Sequence, residues 1–149
     1  MSWMRFAGCL LVLVLAAPAA AQTFTPDPVD LAAAKKEGAV TWYTSTPVET
    51  AQKIANLFQK ETGIRVELFR SGGSAVLRRF MQEIDGRRVI ADVMTISDPA
   101  AAGALIKRDL FVPFRPRNFD KIPAEVKDPK GHHVAQRLNL AAIVARTDK

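Results

Sequence analysis

The chain has 149 residues, 48% hydrophobic and 24% charged, with 21 Lys and Arg against 15 Asp and Glu for a net charge of +6. Those proportions exclude a disordered chain, and a single cysteine excludes a disulfide-stapled fold. The positive excess favours acidic partners such as small anions or an anionic membrane surface, whereas basic residues scattered along the chain speak against nucleic acid.

Met1 to Arg5 carries one positive charge, Phe6 to Ala17 is an uncharged apolar run, and Pro18 breaks it before Ala19-Ala20-Ala21. A basic start, an apolar stretch of about a dozen residues and a small-residue cleavage site make residues 1–21 a secretory signal peptide. The run is too short to span a membrane, which takes about 20 apolar residues. Cys9 lies within that run and is read as one of its small apolar residues rather than as a lipidation site. Cleavage predicts a mature periplasmic protein beginning at Gln22, without cysteine and with 20 basic against 15 acidic residues, a net charge of +5. Its stability must then come from a packed core.

Beyond a loose lead from Thr25 to Pro28, Asp30 to Glu37 reads as a short helix ended by Gly38. Ala39 to Tyr43 is rich in strand formers. Thr46-Pro47-Val48-Glu49 has the composition of a capping box with proline at the first helical position. The helix it opens carries an apolar stripe of Val48, Ala51, Ile54, Ala55 and Phe58, and Gly63 closes it. Ile64, Val66 and Leu68 alternate with Arg65 and Glu67 as a second strand. Arg70 to Ser74 is a turn, with Ser74 expected to cap a helix reaching about Asp85. That helix is expected to bury Leu77, Phe80, Met81 and Ile84 and to turn Arg78, Arg79, Gln82 and Glu83 to water. A third strand falls within Val89–Ile96, and Asp98-Pro99 opens a helix continuing to Arg108. Prolines interrupt residues 110–130, which predicts loops and short turns, and Val134 to Val144 reads as a fourth strand.

Alternating strand and helix predict an α/β fold, a mostly parallel sheet flanked by helices in one domain. In such sheets the loops that follow the strands gather along one rim, where ligands bind. The rule selects Thr44-Ser45-Thr46, Arg70-Ser71-Gly72-Gly73-Ser74 and Ser97-Asp98. Hydroxyls, glycines that admit a ligand close to the backbone, and the free N–H groups of helix N-termini suit an anion there. Arg70 adds a full positive charge. Taken singly, each loop is as well explained by capping and chain reversal; three on one rim point to a site. Asp98 repels an anion and is read as a cap or as a partner for an amino group of the ligand.

Other chemistry is sparse. No phosphate loop with its lysine is present, and no cysteine remains for a metal or a nucleophile. His132 and His133 are adjacent, so in an extended segment they face opposite ways. Ser45 and Ser74 have no local histidine base. No catalytic residue, metal ligand or cofactor is therefore assigned. Tyr43, at the end of its strand, is a candidate to stack on a ligand.

The segments Glu37–Ser45, Phe58–Gly63, Phe69–Ser74 and Ala91–Val93, followed by Ile122–Gly131, resemble the N-terminal part of family-1 extracellular solute-binding proteins. Within them the likeness is to the iron(III), phosphonate or thiamine-type receptors of ABC transporters, and it covers nearly all of residues 22–149. The resemblance implies part of a periplasmic-binding-protein lobe that captures a small solute, by charge an anionic one, and passes it to an inner-membrane ABC permease. It places Ser45, Thr46, Gly72, Gly73, Ser74, Ser97 and Asp98 on the first lobe's binding rim. Members are typically more than twice as long, so residues 22–149 are expected to be a truncated first lobe. Iron-binding members use a tyrosine pair of the second lobe; here Tyr43 is the sole tyrosine, and the expectation is a solute other than ferric iron. A secreted hydrolase or transferase on a related sheet, and a stand-alone interaction domain, are the other readings.

Overall fold

The computed structural model describes residues 24–137; the segment 1–21, expected to be a signal peptide, lies outside that range. Helix α1 (Leu31–Glu37) starts where Asp30 Oδ1 accepts the Ala33 N–H at 2.9 Å, and Gly38 stops it in the left-handed conformation at φ 79°. Strand β1 (Ala39–Thr44) follows, then α2 (Val48–Thr62), which Gly63 ends at φ 76°. Strand β2 (Arg65–Arg70), helix α3 (Gly73–Asp85), strand β3 (Val93–Thr95) and helix α4 (Pro99–Lys107) complete the alternation.

The strands form a parallel sheet in the order β2-β1-β3, with Ala39 to Thr44 in register with Arg65 to Arg70 and Trp42 to Thr44 opposite Val93 to Thr95. As the central strand, β1 holds the most buried run, Trp42-Tyr43-Thr44. Ala51 and Ala55 of α2, Val76 and Phe80 of α3 and Leu105 of α4 complete most of the core. Short polar ties fix the elements: Gln59 Oε1 accepts the Val66 N–H at 2.7 Å, and Asp92 Oδ2 accepts the Thr41 N–H at 2.7 Å. Through its own N–H, Asp92 also donates to the Thr41 carbonyl, anchoring the entry to β3.

Residues 108–137 are loops with two 3-10 turns, Phe119–Lys121 and Ala124–Val126. The lead segment is pinned to them, because Phe24 stacks on Phe119 and Asp27 accepts both the Arg115 N–H and its guanidinium. These contacts hold Asp27's carboxyl below the usual range.

Five expectations need correction. Thr46 is not a helix cap: Thr44 Oγ1 takes the Thr46 N–H at 3.0 Å, Thr46 turns inward, and Pro47 becomes the boundary without a side-chain cap. Nor does Ser74 cap α3, since the Gly72 carbonyl already accepts the Ala75 and Val76 N–H groups and leaves Ser74 inside the first turn. Glu83 does not face water; its side chain is 10% exposed and takes the Tyr43 hydroxyl. The stripe of α2 is buried at Ala51 and Ala55 alone, while Val48, Ile54 and Phe58 remain exposed. Of the expected fourth strand, Val134 makes an isolated antiparallel bridge with Lys127, and residues 138–144 lie outside the described range.

Candidate functional site

Parallel pairing brings the C-terminal ends of β1, β2 and β3 to one edge of the sheet, so the loops that follow them meet. Thr44 is fully buried: its hydroxyl serves the Thr46 N–H and its carbonyl accepts the Ser71 N–H at 3.1 Å. Thr46 is 1% exposed, and its carbonyl accepts Arg70 Nε at 3.1 Å. Thr44, Thr46 and the Arg70 Nε therefore lash the first two loops together, and the two threonines present no hydroxyl to solvent.

On the other side of β1, Ser45 donates its N–H to the Thr95 carbonyl at 2.9 Å, and its Oγ lies 3.4 Å from Ser97 Oγ. Trp42 Nε1 donates to Thr95 Oγ1 at 2.9 Å and holds β3 in place beneath them. The sequence-derived set thus divides. Ser45, Arg70, Ser71 and Gly72 sit on the rim; Gly73, Ser74, Ser97 and Asp98 border a cleft of about 540 Å³ between the starts of α3 and α4.

The two helix starts differ electrically. Asp98 Oδ1 accepts the N–H groups of Ala100 and Ala101 at 2.9 and 3.3 Å, which closes the N-terminus of α4. Helix α3 has Gly72 at its cap and no side-chain acceptor. Its first N–H groups, on Gly73 and Ser74, have no partner among the described residues, so the partial positive charge of α3 stays open to the cleft.

Arg78 also lines the cleft. Sequence reading assigned it to water; the signal that could have found it is its position one helical turn after Ser74, which puts both on one face of α3. Leu77, Met81, Ile96 and Ala101, all half-buried, form the apolar part of the lining.

Behind the site, Tyr43 is fully buried and donates its hydroxyl to Glu83 Oε1. Glu83 Oε2 accepts the Ile90 N–H at 2.9 Å, and Arg79 Nε approaches Oε1 at 3.3 Å with its guanidinium over the Phe69 and Tyr43 rings. Burial opposes the charge on Glu83, yet these donors outweigh it and hold the carboxyl below its usual value; burial and the facing carboxylate push the Tyr43 phenol up. Tyr43 is thus a core residue and does not reach a ligand on the rim.

Neither histidine bonds a rim serine, and His132 Nδ1 lies 2.7 Å from Asp128 Oδ2. Among the described residues, no three His, Cys, Asp or Glu side chains gather to hold a metal.

No known protein-family profile matches the sequence. Among solved structures, iron-bound HitA from Pseudomonas aeruginosa is similar with a TM-score of 0.56 and 25% identity, over 62% of this chain and 30% of that one. The Trichodesmium protein IdiA (FutA), in complex with iron and citrate, is similar with a TM-score of 0.54 and 26% identity, over 64% of this chain and 30% of that one. The parallel sheet and its flanking helices match part of a lobe of the periplasmic-binding-protein fold. The chain spans about a third of the length of these relatives.

Proposed function

We propose that this chain supplies the first-lobe wall of a periplasmic solute-binding component of an ABC transporter, a binding protein rather than an enzyme. Its solute is a small anion, released to an inner-membrane permease. One observation carries the reading: three βα loops meet on one rim beside an uncapped helix start, with Arg70 and Arg78 at hand and the neighbouring carboxylate, Asp98, already engaged as a cap. Both similar structures hold iron, one of them with citrate. Citrate is a carboxylate anion, and a rim of hydroxyls, backbone N–H groups and guanidinium suits the carboxylate side of such a chelate better than the bare ferric ion. The buried phenol of Tyr43 argues the same way.

Titration of the secreted protein with citrate, ferric citrate and phosphate, followed by amide resonances, tests this reading. Saturable shifts centred on Ser45 and Ser71 to Ser74 are expected. One wall leaves the charges in solvent, so the affinity should be on the order of 1 mM. Ser74→Ala should weaken binding by about 0.5–1.5 kcal/mol, and Arg70→Ala by more if its charge meets the anion. Flat titrations with all three anions would remove the site.

A further inference from the structure

The cleft beside the rim is longer than an inorganic anion needs. From Ser74 to Met81 its α3 wall runs two helical turns, about 10 Å, and it combines polar and apolar side chains. Its exposed polar groups are Ser74, Arg78, Ser97 and Asp98, the last engaged as the cap of α4. Leu77, Met81, Ile96 and Ala101 line the remainder and are half-buried. Arg108 Nη1 meets Met81 Sδ at 3.6 Å at the far side. A hydrated phosphate gains nothing from such a lining, whereas an alkyl group is transferred from water onto it. The volume, about 540 Å³, falls among small-molecule sites that combine apolar walls with a few orienting polar groups. Arg78 makes no ion pair among the described residues, so its guanidinium is free to take a carboxylate or phosphonate in a two-pronged contact.

We propose that the solute is an organic anion with an apolar body: its acid group meets Arg78 and the open start of α3, and its hydrocarbon lies between α3 and α4 against Leu77, Met81 and Ala101. The inference rests on the binding role above and deepens it, because it makes the α3–α4 groove the determinant of which anion is taken and gives Arg78 the part of orienting it. Arg78 is exposed, and a solvated ion pair contributes little alone. Discrimination therefore comes from the hydrocarbon, with the charge setting its orientation.

The test is amide-resonance titration of the whole chain with phosphate, acetate, butanoate, hexanoate and hexanol. Affinity is expected to rise about twofold to fourfold per methylene taken into the groove. Shifts should spread from Ser74 to Leu77, Met81 and Ala101 as the chain lengthens. Hexanol should bind more weakly than hexanoate, and Arg78→Gln should narrow that difference, leaving the part due to the start of α3. Ala101→Leu, which fills the groove, should abolish the gain with chain length and leave acetate binding in place. Thermal unfolding of each variant shows whether it is folded, and Met81→Gln supplies a second groove variant if Ala101→Leu is not. Equal affinity for phosphate, acetate and hexanoate, with shifts confined to the rim, would overturn this inference and leave the anion site standing. Hexanol binding as tightly as hexanoate would overturn the role of Arg78. Absence of shifts with every anion would overturn both readings.

Discussion

Two residues show how backbone and side chain are balanced at close range. Thr46 Oγ1 is buried without a hydrogen-bond partner, a state that costs about 1–3 kcal/mol relative to a satisfied hydroxyl. Thr46→Val keeps the shape and removes the stranded hydroxyl. Denaturant unfolding should show stability unchanged or raised by about 1 kcal/mol; a clear loss would mean that the hydroxyl has a partner in solution. Gly131 adopts φ 88°, and a Cβ there would lie 2.9 Å from Arg115 Cγ and 3.2 Å from the Phe114 carbonyl oxygen. Gly38 adopts a similar φ of 79° with open space around it. Gly38→Ala should therefore cost about 1–2 kcal/mol, the left-handed penalty, and Gly131→Ala more, because the Phe114 backbone must also move. The reverse order in unfolding measurements would contradict this account. The contrast also marks what was legible in the sequence. Gly38 and Gly63 announce themselves as helix ends by following periodic apolar segments. Gly131 is legible as the end of the turn Asp128-Pro129-Lys130-Gly131, whose last N–H bonds the Asp128 carbonyl, but the crowding that excludes a side chain there comes from residues sixteen and seventeen positions earlier. Thr46 departs from its local signal for a related reason: its sequence suits a cap, but the Thr44 hydroxyl takes Thr46's own N–H and the Thr46 side chain is buried, where its hydroxyl accepts no helix N–H.

At the scale of elements, α3 does two jobs on two faces. Its outer start and the turn of Arg78 border the cleft, and its inner side holds Glu83 against Tyr43, Arg79 and the Ile90 N–H. Glu83 thus joins α3 to the central strand and to the segment entering β3. The folded carboxyl lies below its ordinary value of 4.5. Its contribution to stability is therefore complete above that ordinary value and disappears as pH falls through the lower, folded value. Thermal melts from pH 7 to pH 3 should show stability falling on the acid side. Glu83→Gln should be less stable at pH 7 and lose less on acidification. The flattening should be partial, because Asp27 and Asp128 are also held low by Arg115 and His132. Parallel profiles for wild type and variant would show that Glu83 is not linked to folding. Helix and strand positions were legible because they depend on short-range periods and punctuation: Asp30, Asp98, Gly38 and Gly63 mark ends where the structure has them. The role of Glu83 was hidden because charge alone sends it to the surface, and its burial depends on a tyrosine forty positions away. Arg78 was missed in the site for the opposite reason, since exposure was read as idleness.

At the scale of the whole molecule, apolar area left uncovered becomes decisive. Ile54, Leu57 and Phe58 share one face of α2 by their spacing, and all three are exposed, Leu57 at 56%. In a second group, Val89 and Ile90 precede β3 and Val93 opens it, and β3 has a strand partner on one side, β1, among the described residues. Exposed apolar groups beside an unpaired strand edge favour contact between molecules. The net charge of +6, or +5 after loss of residues 1–21, opposes that contact by repulsion. The two forces respond oppositely to salt, because screening weakens repulsion and leaves apolar burial intact or strengthened. Sedimentation velocity on the purified chain should therefore show reversible association, with a dissociation constant on the order of 0.1 mM as suits a small contact. Raising sodium chloride from about 0.05 to 0.5 M, which shortens the screening length severalfold, should tighten it. Leu57→Glu should weaken association if the α2 face is used, and Val93→Lys if the β3 edge is used. A monomer at every salt concentration would show that these surfaces are covered within the chain itself, and association that weakens with salt would show that ion pairs rather than apolar surface join the copies.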